Sequence, residues 1–91
     1  MNALIIEDEK AAVRNLEALL REVAPQTEVI AVLDSVTDSV AWFEFHPAPD
    51  VVFMDIHLAD GSAFEIFNHT QIKCPIIFTT AYDEYALKAF K

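Results

Sequence analysis

Glycine, cysteine and positive charge are all scarce in this sequence. With one glycine in 91 residues, the chain shows no flexible linker, no repeat and no low-complexity tract. Its one cysteine, Cys74, rules out an internal disulfide and accords with a reducing compartment. Cys74 precedes Pro75 and a hydrophobic run, the setting of a small half-buried side chain and not of a reactive thiol. Six lysines and arginines stand against 15 aspartates and glutamates, a formal net charge of −9. Such a surface repels nucleic acid and anionic lipid, so neither is expected as a direct partner of this segment. The N-terminus lacks a basic stretch followed by an apolar segment and cleavage site. No apolar run approaches the length of a membrane span. A cytoplasmic location is the expectation.

What the chain does have is apolar content, 54% of its residues, in short runs bounded by charge. One domain over residues 1–91 is expected. A chain of this size buries roughly 60–65% of the surface its unfolded form exposes, enough to fold without a large margin. Residues 1–6 read as a first strand. From Lys10 the period changes, and Ala12, Leu16, Leu19, Leu20 and Val23 mark one face of a helix that Pro25 stops. Glu28 to Leu33 is a second strand. Asp34 or Ser35 can cap a second helix bearing Val36, Val40 and Phe43, which Pro47 and Pro49 end. Val51 to Met54 is a third strand, IHLADGS a loop, and Ser62 the start of a short helix with Phe64 and Phe67. Ile76 to Thr79 is a fourth strand, and helix-forming residues follow from Asp83 to Lys91. This β-α alternation predicts an α/β fold, a doubly wound parallel sheet with helices on both faces.

Two of the strands end on acids. Ala3 to Ile6 runs into Glu7, Asp8 and Glu9, and Val51 to Met54 runs into Asp55. If these strands are neighbours, Glu7, Asp8 and Asp55 converge at the carboxyl end of the sheet, where open α/β folds bind ligands. Carboxylates about 4–5 Å apart repel by roughly 3–4 kcal/mol at an effective dielectric of 20, so the cluster must take up protons or a cation. Hard oxygen donors of this kind suit Mg²⁺, with other positions left to water and phosphate. Asp55 is then the candidate nucleophile, forming an aspartyl phosphate. The fourth strand leads to Thr79-Thr80-Ala81, and beside three acids the Thr80 hydroxyl is a candidate for binding a phosphoryl oxygen. Threonine also suits strand ends for purely steric reasons.

Glu7-Asp8 after a hydrophobic strand, Asp55 after VVFM with Asp60-Gly61 beyond it, and Thr80-Ala81 after IIFT resemble a response-regulator receiver domain of the CheY-like kind. FTTAYDEYALKAF, from Phe78 to Phe90, is similar to receivers of LytTR-type two-component regulators. The resemblance implies strand order 2-1-3-4, with a fifth strand and helix missing. It implies that Asp55 accepts a phosphoryl group from a sensor histidine kinase. Asp8, Asp55 and the backbone carbonyl of His57 would ligate Mg²⁺, with Glu7 acting through water. Thr80 and the Ala81 backbone would bind the phosphoryl group and couple it to the following loop. Such a domain is a phosphoacceptor, not a turnover enzyme, and it signals through dimerisation to an output domain, here a LytTR-type DNA-binding domain absent from these residues. Glu7 stands where Asp is commoner. The family lysine that pairs with the phosphoryl group has no counterpart, since Lys10 reads as a solvent-facing helix start. The chain is therefore expected to be a receiver incomplete at its C-terminus, with the fourth strand as an apolar edge that favours a homodimer or higher oligomer.

Two rival readings come from other classes. A haloacid-dehalogenase-type Mg²⁺ phosphohydrolase needs a second Asp two positions beyond the nucleophile, and position 57 is His. A receiver-shaped interaction module that is never phosphorylated accords with the absent lysine but not with three site acids. His46, His57 and His69 show no repeated ligand spacing and read as solvent-facing. Trp42, Phe43 and Phe45 read as core and helix surface, and Tyr82, Tyr85 and Phe90 as packing or a dimerisation face.

Overall fold

Two apolar runs form the middle of the sheet because both of their faces are covered. The computed structural model describes residues 1–79. Strand β1 (Asn2–Ile6) is followed by helix α1 (Lys10–Val23), strand β2 (Glu28–Leu33), helix α2 (Val36–Phe45) and strand β3 (Val51–Met54). Strands β4 (His57–Leu58) and β5 (Gly61–Ser62) lead into a 3-10 turn (Ala63–Glu65), helix α3 (Ile66–His69) and strand β6 (Ile76–Phe78). Strands β2, β1, β3 and β6 make one sheet in that order, with every neighbouring pair parallel. This is the expected 2-1-3-4 order, the fourth long run being β6. The expected helix from Asp83 and its aromatic residues lie outside the described residues.

The inner strands explain their own sequences. Ala3 to Ile6 of β1 are fully buried, as are Val52 and Met54 of β3, so neither strand has a polar face to alternate with. Strand β2, equally apolar in sequence, lies at the rim and leaves Ile30 and Val32 exposed. Leu4, Ile6, Val52 and Met54 pack with Leu58, Ala63 and Ile66, and Val36, Val40 and Phe43 of α2 close around them. Ala3, Ile5 and Val51 are buried outside that cluster, on the side where Leu20 of α1 packs. Only Leu20 of α1 is buried; Leu19 and Val23 are 53% and 68% exposed, so the predicted five-residue stripe is wider than the seat it occupies. Phe53 and Ile77 line an open cleft beside Leu20, which leaves that seat narrow.

The segment after Asp55 departs from the expected plain loop. It folds as a small antiparallel hairpin, His57 opposite Ser62 and Leu58 opposite Gly61, with Ala59 and Asp60 at its tip. Ile56 and Leu58 turn inward and His57 outward, a strand alternation too short to read from sequence. Gly61 sits at φ +143°, a conformation side chains rarely adopt, which is why the single glycine stands here. Ser62 caps the next turn as expected, accepting from the Phe64 N–H at 3.2 Å. That turn buries Ala63 and Ile66, whereas Phe64 and Phe67 stay about half exposed.

Ile66 is fully buried in the cluster. Ile66→Ala is expected to lower the unfolding free energy by about 2–5 kcal/mol in urea titration. Phe45→Ala, at a position 79% exposed, should change it by about 0.5 kcal/mol or less.

Candidate functional site

Three backbone hydrogen bonds carry the parallel ladder one residue past the strand ends, and they set the site. The Glu7 N–H donates to the Leu33 carbonyl at 2.8 Å, the Asp55 N–H to the Ile6 carbonyl at 2.9 Å, and the Thr79 N–H to the Met54 carbonyl at 3.0 Å. Each acceptor is the last residue of its strand, so Glu7, Asp55 and Thr79 stand level along the carboxyl edge of the sheet. Asp8 follows Glu7 directly.

Carboxylate oxygens of Glu7, Asp8 and Asp55 lie within 4.8 Å of one another. Glu7 and Asp55 are half-buried and Asp8 is exposed. At an effective dielectric of 20, two such charges at that separation repel by roughly 3–4 kcal/mol. The Glu7 carboxyl answers by holding its proton: partial burial, with Asp55 and Asp8 as neighbours, pushes its pKa from an ordinary 4.5 up to about 7, against the opposing effect of the Glu9 N–H. That N–H donates to Glu7 Oε2 at 3.2 Å. An all-oxygen donor set that keeps a proton near neutral pH is suited to a hard divalent cation, which would displace that proton.

The other predicted residues fall as follows. His57 opens β4, with an exposed ring, two positions past Asp55. Lys10 starts α1, exposed, in a cleft it shares with Glu7, Asp8 and Asp34, consistent with a solvent-facing lysine. His46 and His69 are exposed as well. Burial, then the negative charge of Asp50, pushes the Cys74 thiol up, which makes it less reactive. Thr80 and Ala81 lie outside the described residues, while Thr79 is half-buried and lines a cleft with Glu7.

Sequence reading missed one contributor. In the sequence Asp60 reads as a loop residue, yet its carboxylate accepts the Val36 N–H at 2.7 Å, the Thr37 N–H at 3.1 Å and the Thr37 hydroxyl at 3.1 Å. Those N–H groups hold the Asp60 carboxyl below the usual carboxylate range. An acid placed just before the only glycine was the available sign; its partner, some two dozen residues upstream, was not visible.

Comparison with known proteins gives the family of the chain. Residues 3–91 match the family described as the response regulator receiver domain. The chain is 38% identical over 94 residues to the sensory transduction protein LytT of Enterococcus faecalis, covering 100% of the chain and 38% of that protein. LytT of Bacillus cereus is 40% identical over 94 residues, with 100% and 37% covered. The chain thus spans well under half the length of these relatives. Among solved structures, the response regulatory domain of mrkE from Klebsiella pneumoniae superposes with a TM-score of 0.74 at 31% identity, over 99% of this chain and 75% of that one. The MaeR response regulator bound to beryllium trifluoride gives 0.77 at 20% identity, again over 99% and 75%, a likeness of fold.

The Glu7 shift has a signed consequence. Between about 4.5 and 7 the native state holds more protons than the unfolded chain, so without divalent cation stability should fall as pH rises through that window. Thermal unfolding from pH 4.5 to 8 measures it, and Glu7→Gln should flatten the decline.

Proposed function

Since the chain belongs to the response regulator receiver domain family of two-component systems and is LytT-like, we propose that Asp55 is its phosphoacceptor and that a sensor histidine kinase is the donor. The observation that carries this reading is the meeting of Glu7, Asp8 and Asp55 at the ends of two adjacent parallel strands. The donor set suits Mg²⁺: Asp8, Asp55 and the His57 backbone carbonyl would hold it directly, and Glu7 through water. When bound, the ion supplies positive charge that offsets the charge on the transferring phosphoryl oxygens.

Asp55 needs no general base, because an ionised carboxylate is already the nucleophile. Its oxygen forms a bond to phosphorus while the bond from phosphorus to the donor histidine nitrogen breaks. The electron pair stays with the imidazole, which takes a proton from solvent. The half-buried position of Asp55 limits hydration of that oxygen, and the bond from its N–H to Ile6 fixes its backbone during attack. Thr80 would donate its hydroxyl to a phosphoryl oxygen, with the Ala81 N–H beside it. The added charge then biases the following loop between two arrangements. The product is a signal, not a released molecule. In the cytoplasm of its host the relay would end on an output domain outside these residues, for which LytTR-type DNA binding is our reading.

A second copy of the chain is the further partner we propose. Strand β6 is the outermost strand of the described sheet on its side, and Ile77 is 50% exposed. Pairing at this edge would cover it.

Incubation with Mg²⁺ and a small acyl phosphate should add one phosphoryl group by intact mass to the wild type and none to Asp55→Asn. Prior chelation should abolish the adduct. No adduct on the wild type would favour a module that is never phosphorylated. Sedimentation equilibrium should show an average mass that rises with concentration; a concentration-independent monomer sinks the pairing.

A further inference from the structure

The segment from Asp55 to Ser62 is fixed at several points. Ile56 and Leu58 are buried, and the Ala63 N–H donates to the Ile56 carbonyl at 2.7 Å. Residues 57 and 58 pair with 62 and 61. A further restraint comes from a distant part of the chain: Asp60, at the hairpin tip, accepts three hydrogen bonds from Val36 and Thr37 in the first turn of α2. Helix α2 already has its own cap, because Ser35 Oγ accepts from the Asp38 N–H at 3.0 Å. The two acceptors therefore divide the work. Ser35 closes the helix on itself, and Asp60 ties the helix to the hairpin.

We infer that Asp60 is a positioning residue for the acid site: by tying the hairpin to the N-terminus of α2, it fixes where the backbone at His57 lies relative to Asp8 and Asp55. The inference rests on the proposed Mg²⁺ site and deepens it. His57 lies midway along the short path from Asp55, which the sheet holds, to Asp60, which α2 holds. A two-residue strand has few ladder bonds of its own, so freeing its tip loosens the path between the buried Ile56 and Leu58 and the hairpin end. A carbonyl that ligates from such a path loses its set position, and outer groups that orient ligands commonly change metal affinity by tenfold or more. The carboxylate also sits at the positive end of the helix, which favours the ionised form that accepts all three bonds.

The discriminating comparison is Asp60→Ala against Ser35→Ala, since both remove a cap from α2 but only the first frees the hairpin. Mg²⁺ alone is titrated into wild type and variants by calorimetry, and amide hydrogen exchange is followed without the ion. Asp60→Ala should weaken Mg²⁺ binding roughly tenfold and speed exchange at both Val36 and Ala63. Ser35→Ala should leave Mg²⁺ binding unchanged and confine faster exchange to α2. Asp60→Asn, with one acceptor oxygen left, should fall between, and it carries the comparison if the alanine variant does not fold. Equal Mg²⁺ affinity in Asp60→Ala and Ser35→Ala, or an exchange change confined to α2, overturns the inference and leaves the site intact. A wild type that binds no Mg²⁺ overturns the metal site and this inference together.

Discussion

Three N–H groups donating to the last carbonyls of β2, β1 and β3 hold together what electrostatics would separate. Without them, Glu7, Asp8 and Asp55 would spread until water screened them. Each bond contributes only about 1 kcal/mol net, less than the repulsion between two charged carboxylates at this distance. What makes the arrangement possible is that the bonds continue a ladder already fixed by the burial of Leu4, Ile6, Val52 and Met54. The apolar core, on the order of tens of kcal/mol of gross burial energy, sets where the acids go, and the acids cannot move without unpairing the sheet. The backbones of Glu7 and Asp55 are therefore held as firmly as the two innermost strands.

This division explains which parts could be read from the sequence. Unbroken apolar runs at Ala3 to Ile6 and Val51 to Met54 announced strands buried on both faces, and the acids that end them announced the cluster. Position in the sheet then followed from topology. The same signal could not separate β2 from the inner strands, because EVIAVL is as apolar as they are although Ile30 and Val32 face outward at the rim. The helix stripe from Ala12 to Val23 had the right period but the wrong width, since periodicity gives a direction and not the size of the seat that receives it. Both failures concern what covers an apolar residue, which depends on distant parts of the chain.

The hairpin after Asp55 was hidden for a different reason. Its strands are two residues each, below the length at which alternation carries information, and its stability comes from Leu58 in the core and from Asp60 on α2. Gly61 marked a turn and Asp60 an acid near it. Nothing local connected Asp60 to Val36 and Thr37. A bond of this kind is legible only once the sheet order has brought the end of β3 beside the start of α2.

Glu7 brings the two levels together. Its position is the one where the resembled family more often has Asp, and its carboxylate has two roles. The backbone N–H of Glu9, whose own side chain makes no capping bond, donates to Glu7 Oε2 at the start of α1. One carboxylate thus serves the helix start and the acid cluster. Its pKa is pushed up to about 7 by partial burial and by Asp55 and Asp8 beside it. Under the proposed Mg²⁺ site, an incoming cation would displace the proton held there, and its affinity would be linked to pH at this one residue. The Glu7 carboxyl is therefore the group whose titration falls near neutral pH.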